Sequence, residues 1–110
     1  MLSLIVPVRN DVTLSRNCIQ CALHSLSVLQ VSAQVILIDD QSPPEEGIMD
    51  MFREMRERGK AMFDFTLVRT AKREHYTGVF SLGLTLAKRE HAFFLSNDML
   101  ITPKIGRAHV

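Results

Sequence analysis

The sequence predicts an α/β domain built on a parallel sheet with helices on both faces. Two patterns support this prediction. Short, continuous apolar runs are typical of strands buried on both faces, and the segments between them carry apolar residues at helical spacing. The apolar runs are Leu2–Val8, Gln34–Ile38, Phe65–Val68 and Ala92–Leu95. Strands and helices therefore alternate along the chain, which is the order of a Rossmann-like sheet with right-handed crossovers.

The first strand, LSLIVPV, is rich in branched apolar side chains, and a helical pattern follows over residues 13–29. Cys18 and Cys21 form a CxxC spacing in this helix, which in other settings marks a redox pair or half of a zinc site. Cys18 lies more than a turn inside the predicted helix, where the helix N-terminus cannot activate a thiol. We therefore interpret both cysteines as packing residues. The predicted inner face is Leu14, Cys18, Cys21, Ala22, Ser25 and Leu29.

The second strand, QVILI, runs into two adjacent acids and then into a helix-start signal. Ser42 stands at the N-cap position, a proline follows at the first helical position, and Glu45 completes a capping box. The predicted helix ends near Gly59. Its inward residues are Ile48, Met51, Phe52 and Met55.

A basic loop follows the third strand, FTLV, and contains Arg69, Lys72 and Arg73. Such a loop is either a solvated surface or a clamp for a diphosphate. The third helix comes next, and the fourth strand, AFFL, leads into SNDM. The predicted inner face of this helix is Val79, Phe80, Gly83, Leu84 and Ala87.

Composition places the chain among globular proteins, because it is 46% hydrophobic and 23% charged. Its 110 residues suit one domain or part of one. A formal charge of +1 gives no basis for a nucleic-acid partner, and no apolar run approaches the ~20 residues of a membrane span. Two cysteines without a secretory signal predict a reducing, cytoplasmic location.

The last residues differ in character from the rest. The segment IGRAHV resembles the translation of a short-read sequencing adapter. We therefore expect residues 104–110 to be a non-native tail and residues 1–103 to carry the function.

Three polar clusters directly follow predicted strands: Arg9-Asn10-Asp11, Asp39-Asp40-Gln41 and Ser96-Asn97-Asp98. Residues of these types are also common in simple turns. In a parallel sheet, however, the carboxyl ends of the strands meet at one edge, where ligands bind. Carboxylate and amide oxygens there suit a hard divalent cation and its phosphate ligands. Neither the GxGxxG fingerprint nor the GxxxxGK[ST] phosphate loop is present.

Three segments resemble, in order, motifs of the family-2 glycosyltransferases with the type A fold. LSLIVPVRND resembles the family's opening strand and PVYN turn, and VILIDDQS resembles its VVDDGS segment. GVFSLGLTLAKREHAFFLSNDMLITP resembles the glycine-containing helix and the LNND form of the metal motif. The resemblance covers nearly all of residues 2–103. It implies the nucleotide-sugar-binding half of a truncated type A domain, with sheet order 3-2-1-4.

The resemblance also implies residue roles on the nucleoside side of the donor. Pro7, Val8 and Arg9 would line the base pocket. Asp40 would accept a hydrogen bond from the base, and Asp39 would support the ribose side.

Two further roles implied by the resemblance lie after the fourth strand. Asn97 would face the ribose, and Asp98 would bind Mn²⁺ or Mg²⁺ bridging the two phosphates. The general base would lie beyond position 103, so the fragment itself would be inactive. The longer parent would transfer a sugar to a hydroxyl of a carbohydrate, lipid or protein acceptor, in the cytoplasm or at a membrane.

Three residues depart from the family pattern. Arg9 stands where an aromatic residue often stacks on the base, Ser81 where an asparagine is common, and Ser96 leaves the metal motif with one carboxylate. These departures suit an alternative, a non-catalytic α/β interaction module with a degenerate donor site. A nucleotidyltransferase is a third interpretation, which is disfavoured because a glycine-rich, basic loop does not follow the first strand.

Overall fold

The structure is a computed structural model that describes residues 2–95. Within that range strands and helices alternate as the apolar pattern predicts. In chain order the elements are β1 (Leu2–Val8), α1 (Val12–Val28), β2 (Ala33–Asp39), a 3₁₀ turn (Pro44–Glu46), α2 (Ile48–Gly59), β3 (Phe63–Arg69), α3 (His75–Leu86) and β4 (His91–Phe94). Among these described helices, none is both long and apolar enough to cross a membrane.

The four strands form one parallel sheet in the order β3-β2-β1-β4. This confirms the predicted α/β class and the 3-2-1-4 order. In the register of the sheet, Val8 is opposite Asp39, and Asp39 is opposite Arg69. Three strand ends therefore stand side by side at the carboxyl edge.

Helices cover both faces of the sheet, which explains why β1 and β2 are apolar throughout. The larger core packs α1 and α2 against one face, around Phe52 and Met51. The smaller core packs α3 against the other face, where Val79 meets Ile5, Ile36 and Ile38. The central strands are thus shielded on both sides, as parallel sheets require.

The inner face of α1 differs from the prediction. Leu14 is 41% exposed and Cys21 is also exposed. The buried residues are Ser15, Cys18, Ile19, Ala22 and Ser25. Helical spacing predicts that an apolar stripe is buried but does not fix which residue lies at the centre of the stripe. In the structure the buried stripe of α1 is centred on Ile19. Cys18 is 1% exposed, which agrees with the predicted packing role, whereas that interpretation is wrong for Cys21, which is exposed.

The start of α2 also differs, and the predicted capping box is absent. A 3₁₀ turn precedes Gly47, which has φ 68°, and α2 begins at Ile48 without a side-chain cap. The hydroxyl of Ser42 instead accepts from the backbone N–H of Asn10, at 2.9 Å. The N-cap prediction for Ser42 was wrong because a long-range partner engages its hydroxyl. The predicted end at Gly59 and the four buried inward residues are confirmed.

Helix α3 lies very close to β1 through Gly83. A Cβ atom at that position would lie 2.4 Å from Cγ2 of Ile5. The predicted inner face is confirmed at Val79 and Gly83 but wrong for Phe80 and Leu84, which are 38% and 47% exposed. Since Gly83 must face the sheet for this approach, the helix turns Leu84 outward.

Candidate functional site

The predicted polar residues gather at the carboxyl edge of the sheet. The ladder continues past the strand ends, because the N–H of Asp40 donates to the carbonyl of Val8 and the N–H of Thr70 to that of Asp39. Strand β4 leaves at the same edge, where the N–H of Leu95 donates to the carbonyl of Ile5 at 2.9 Å. The loops after β1, β2 and β3 and the exit of β4 therefore share one rim.

Unusual backbone conformations concentrate at this rim. Among the described residues of this rim, four other than glycine have positive φ: Asn10 at 66°, Asp11 at 53°, Gln41 at 62° and His75 at 61°. A fifth, Gln30, lies just after the C-terminus of α1, at the end of that helix away from the rim. Such conformations are costly for residues with a side chain and cluster at functional sites. Their position marks the carboxyl rim as the candidate site.

Asp39 is buried and points into the structure. Its side chain is 1% exposed. Its Oδ1 accepts from the backbone N–H of Ser42 at 2.9 Å, and its Oδ2 accepts from Nη1 of Arg69. The same guanidinium donates to the carbonyl of Ser42 at 3.1 Å. Asp39 therefore stabilises the turn that follows β2.

Asp40 binds the loop between β3 and α3. Its Oδ1 accepts from the hydroxyl of Thr70 at 3.0 Å and from the N–H of Glu74 at 2.7 Å. Its Oδ2 accepts from Nε of Arg73 and from the N–H of His75, both at 2.9 Å. Asp40 is 5% exposed. All four interactions stabilise the ionised carboxylate.

The electrostatic consequence is a lowered pKa at Asp40. Burial acts first and raises the pKa of this carboxyl, but the hydrogen bonds from Glu74, Thr70, Arg73 and His75 outweigh it and hold the pKa below its ordinary value. The group is therefore charged at neutral pH despite being buried.

The basic loop is neither a solvated face nor a free clamp. Arg69 pairs with Asp39 and Arg73 pairs with Asp40, so two of the loop's cations neutralise the two acids. Lys72 is exposed and, within residues 2–95, forms no ion pair. A diphosphate clamp formed by this loop would use Lys72 or the outer atoms of the paired arginines.

The residues predicted to line the base pocket lie at this edge but differ in burial. Arg9 is exposed, Pro7 is half-buried and Val8 is 1% exposed. The side chain of Val8 belongs to the larger core, so only its backbone reaches the rim. Asn97 and Asp98 lie outside the described residues.

Sequence reasoning missed several groups that shape the site. The backbone N–H of Ser42 donates to Asp39, and the hydroxyl of Thr70 donates to Asp40. The backbone N–H groups of Glu74 and His75 also donate to Asp40. Asn10, which belongs to the predicted cluster after β1, has positive φ, a conformation in which asparagine is enriched. Its buried side-chain oxygen has no hydrogen-bond partner within residues 2–95.

Within residues 2–95, a cleft lies on each side of the row of strand ends. One, of about 220 Å³, lies on the α2 side between Asp39, Pro43 and Ile48. The other, of about 540 Å³, lies on the α3 side between Thr70 and Leu82, with Lys72 at its wall. Within the described chain no three histidine, cysteine, aspartate or glutamate side chains cluster to hold a metal ion. The predicted metal ligand, Asp98, is not among the residues searched.

Solved structures share this architecture. The mannosyltransferase PcManGT from Pyrobaculum calidifontis, in complex with GDP-Man and Mn²⁺, matches with a TM-score of 0.76 and 20% identity, over 90% of this chain and 28% of its own. S. aureus TarS 1-349 in complex with UDP-GlcNAc matches with a TM-score of 0.68 and 15% identity, over 98% of this chain and 29% of its own.

The fold is that of the type A glycosyltransferases. The chain spans less than a third of the length of these two neighbours. At such low identity the likeness establishes the fold alone. No protein-family model and no curated protein matches the sequence.

Proposed function

We propose that this chain is the donor-binding part of a glycosyltransferase, with a nucleoside-diphosphate sugar as its ligand. One observation carries the proposal: the strand ends at Val8, Asp39 and Arg69 stand in register at one edge of a type A sheet. Ligands of open parallel sheets bind beyond that edge. Neighbours with this fold were solved with GDP-Man and Mn²⁺ or with UDP-GlcNAc.

The nucleoside would lie over the ends of β1 and β2. Pro7, the backbone of Val8 and the side chain of Arg9 form the proposed base side. The guanidinium plane of Arg9 is exposed and can stack on a base. We assign Asp39 to the ribose side of the proposed site and Asp40 to its base side; both residues are buried.

Metal binding is proposed for the segment after β4. Asn97 would contact the ribose, and Asp98 would hold Mn²⁺ or Mg²⁺. When bound, the cation neutralises the charge that develops on the departing nucleoside diphosphate. A carboxylate and an amide supply the oxygen donors that such cations prefer.

Transfer itself needs groups that this segment does not supply. The proposed reaction passes the sugar to a hydroxyl of a carbohydrate, lipid or protein, and a general base must take the hydroxyl proton. We place that base in a longer parent protein, so that the 110-residue chain binds donor without turnover. A cytoplasmic location remains a prediction.

Calorimetry tests the proposal. UDP, GDP and dTDP are titrated into the folded protein extended beyond position 103, with and without Mn²⁺. We expect at least one nucleotide to bind, more tightly with the metal, and Asp98→Ala to remove the metal-dependent gain. The matched control is Asp50→Ala, which changes an exposed carboxylate on α2. Absence of binding by all three nucleotides would contradict the proposal.

The alternative of a non-catalytic interaction module keeps one observation in its favour. The carboxylates of Asp39 and Asp40 are buried and engaged by their own chain. Under this alternative the extended protein binds none of the nucleotides, and Asp98→Ala leaves its partner binding unchanged.

A further inference from the structure

Strand β3 is an edge strand, because it pairs with β2 on one side and, within residues 2–95, with no strand on the other. It is seven residues long and stays in register with β2 throughout, without a proline, a glycine or a bulge. β2 is buried at every position, whereas residues 65–68 of β3 are half-buried. Long, regular edges readily pair with another strand, and proteins usually protect them. This edge is therefore a candidate interaction surface.

The free side of β3 presents the backbone groups of every second residue. Successive residues of a strand turn their N–H and C=O groups to opposite edges. The N–H of Thr70 donates to the carbonyl of Asp39 in β2, so Thr66 and Val68 also face β2. The outward groups, which a second strand must engage, are those of Phe63, Phe65, Leu67 and Arg69.

This set of outward residues is complementary to itself in an antiparallel pair. With Thr66 of one copy opposite Thr66 of another, Phe65 is opposite Leu67 and Phe63 is opposite Arg69. Each of the last two pairs joins outward residues, which can exchange both backbone hydrogen bonds. The alignment pairs all seven residues of β3. It also places threonine against threonine, a pair that can share a hydrogen bond.

Both cores of the domain extend to this edge. Phe65 and Leu67 pack against the larger core, and Val68 packs against the smaller one. All three side chains are half-buried. A second strand beside β3 would therefore remove further apolar surface from water on both faces of the sheet.

The charges at the two ends of β3 match in the same alignment. At the amino end, Arg56 forms no ion pair within residues 2–95, and the side chain of Asp64 is 54% exposed, with Nη2 of Arg89 4.0 Å from its Oδ2. At the carboxyl end, Lys72 and Glu74 line one cleft and form no ion pair with described residues. Antiparallel pairing brings opposite ends together, so Arg56 approaches Glu74 of the second copy and Lys72 approaches its Asp64. A uniformly acidic or basic partner would meet a like charge at each end.

We infer that β3 is the interface between two copies of this chain, which pair antiparallel about a two-fold axis at Thr66. Two-fold dimers are the commonest closed assemblies. The two sheets join into one, and the two carboxyl rims face opposite ends of it. The inference does not depend on the proposed function, because none of the residues assigned to the donor lies in β3.

Analytical ultracentrifugation of the 110-residue chain tests the association. Between about 10 µM and about 500 µM we expect the mass to rise towards twice that of the chain, since association follows mass action. Thr66→Lys should weaken association at least about tenfold, because it places like charges against each other at the axis. The control, Leu84→Lys, alters an exposed apolar residue on α3 and should leave association unchanged. A monomeric wild type, or loss of the dimer in Leu84→Lys but not in Thr66→Lys, would overturn the inference.

Amide hydrogen exchange, followed by NMR, tests the alignment. The N–H groups of Phe65 and Leu67 face the second copy, whereas those of Thr66 and Val68 face β2 in the monomer. Over the same concentration range, exchange at Phe65 and Leu67 should slow about tenfold or more, with little change at Thr66 and Val68. Equal slowing at all four amides, or no slowing at Phe65 and Leu67, would contradict the pairing.

A disulfide at the axis gives a measurement that does not require Thr66→Lys to fold. Opposite Cα atoms in non-hydrogen-bonded antiparallel pairs lie about 4.5 Å apart, within the range that a disulfide spans. Thr66→Cys, with the exposed Cys21 replaced by serine, should therefore form an intermolecular disulfide under mild oxidation, whereas Thr85→Cys on α3 should not. Circular dichroism checks that each variant folds. Equal cross-linking at the two positions, or none at Thr66→Cys, would refute the two-fold pair.

Discussion

Asp39 and Arg69 are register partners at the ends of β2 and β3, and their side chains form an ion pair. The carboxylate is 1% exposed and the guanidinium is 35% exposed. The pair therefore joins two neighbouring strand ends at the rim where the donor is proposed to bind. Its position explains why an acid can be buried at the end of an apolar strand.

Arg69→Met is expected to lower the free energy of unfolding by about 2 kcal/mol, because it leaves the buried charge of Asp39 without its cation. Urea unfolding followed by circular dichroism measures this. The control, Arg53→Met, breaks an exposed ion pair with Asp50 and should cost less than about 0.5 kcal/mol. Equal effects of the two substitutions would show that burial of Asp39 does not matter.

Stability should fall on acidification because the pKa of Asp40 is lowered in the folded state. A lowered pKa stabilises the fold above the unfolded value, about 3.9 for aspartate, and this contribution is lost as pH falls through the folded pKa. Unfolding free energies of wild type and Asp40→Asn, measured from about pH 6 to about pH 2.5, should therefore converge at the acid end. A constant difference between the two proteins would contradict the lowered pKa.

The side chain of Gln34 in β2 forms hydrogen bonds that stabilise the turn between α3 and β4. Its side chain is fully buried, accepts from the hydroxyl of Ser3 and the N–H of Lys88, both at 2.8 Å, and donates to the carbonyl of Leu86. Gln34→Leu should destabilise by about 2 to 3 kcal/mol, because buried polar groups lose their partners. Thermal or urea unfolding measures this, with exposed Gln20→Leu as the control. A near-neutral Gln34→Leu would mean that water replaces the lost bonds.

Gly83→Ala should destabilise by about 1 to 3 kcal/mol, although alanine is the better helix former. The added methyl would lie 2.4 Å from Cγ2 of Ile5 in β1, one of the two inner strands of the sheet. Ser81→Ala, at an exposed position of the same helix, is the control and should be neutral or slightly stabilising. Urea unfolding of both variants is the measurement, and a stabilising Gly83→Ala would refute the close approach.

Arg9 offers a test of the proposed base side. If its guanidinium stacks on the base, Arg9→Ala should weaken UDP binding roughly three- to tenfold, whereas Arg9→Tyr should preserve it. Calorimetry with UDP and pyrophosphate distinguishes stacking from simple charge attraction. Loss of pyrophosphate affinity in both variants would assign Arg9 to the phosphates instead of the base.

The local pattern of apolar residues was enough to predict the strands and the inward face of α2. Burial of Ile36 is predicted by the continuous apolar run around it, and burial of Phe52 by the helical spacing of its apolar neighbours. The sheet order came from the resemblance of three motifs and is confirmed. The two acids after β2 were placed at the correct edge, since the end of a strand is visible in sequence.

Tertiary contacts decided the rest. The rotation of α3 follows from the approach of Gly83 to Ile5, and the hydroxyl of Ser42 binds Asn10 in place of a helix. Sequence alone brought Asp40 to the rim but could not show that Thr70, Arg73, Glu74 and His75 would fill its acceptor positions. The periodicity of a sequence shows which side chains are buried. It does not show which distant residue will form a hydrogen bond, because that contact exists only in the folded chain.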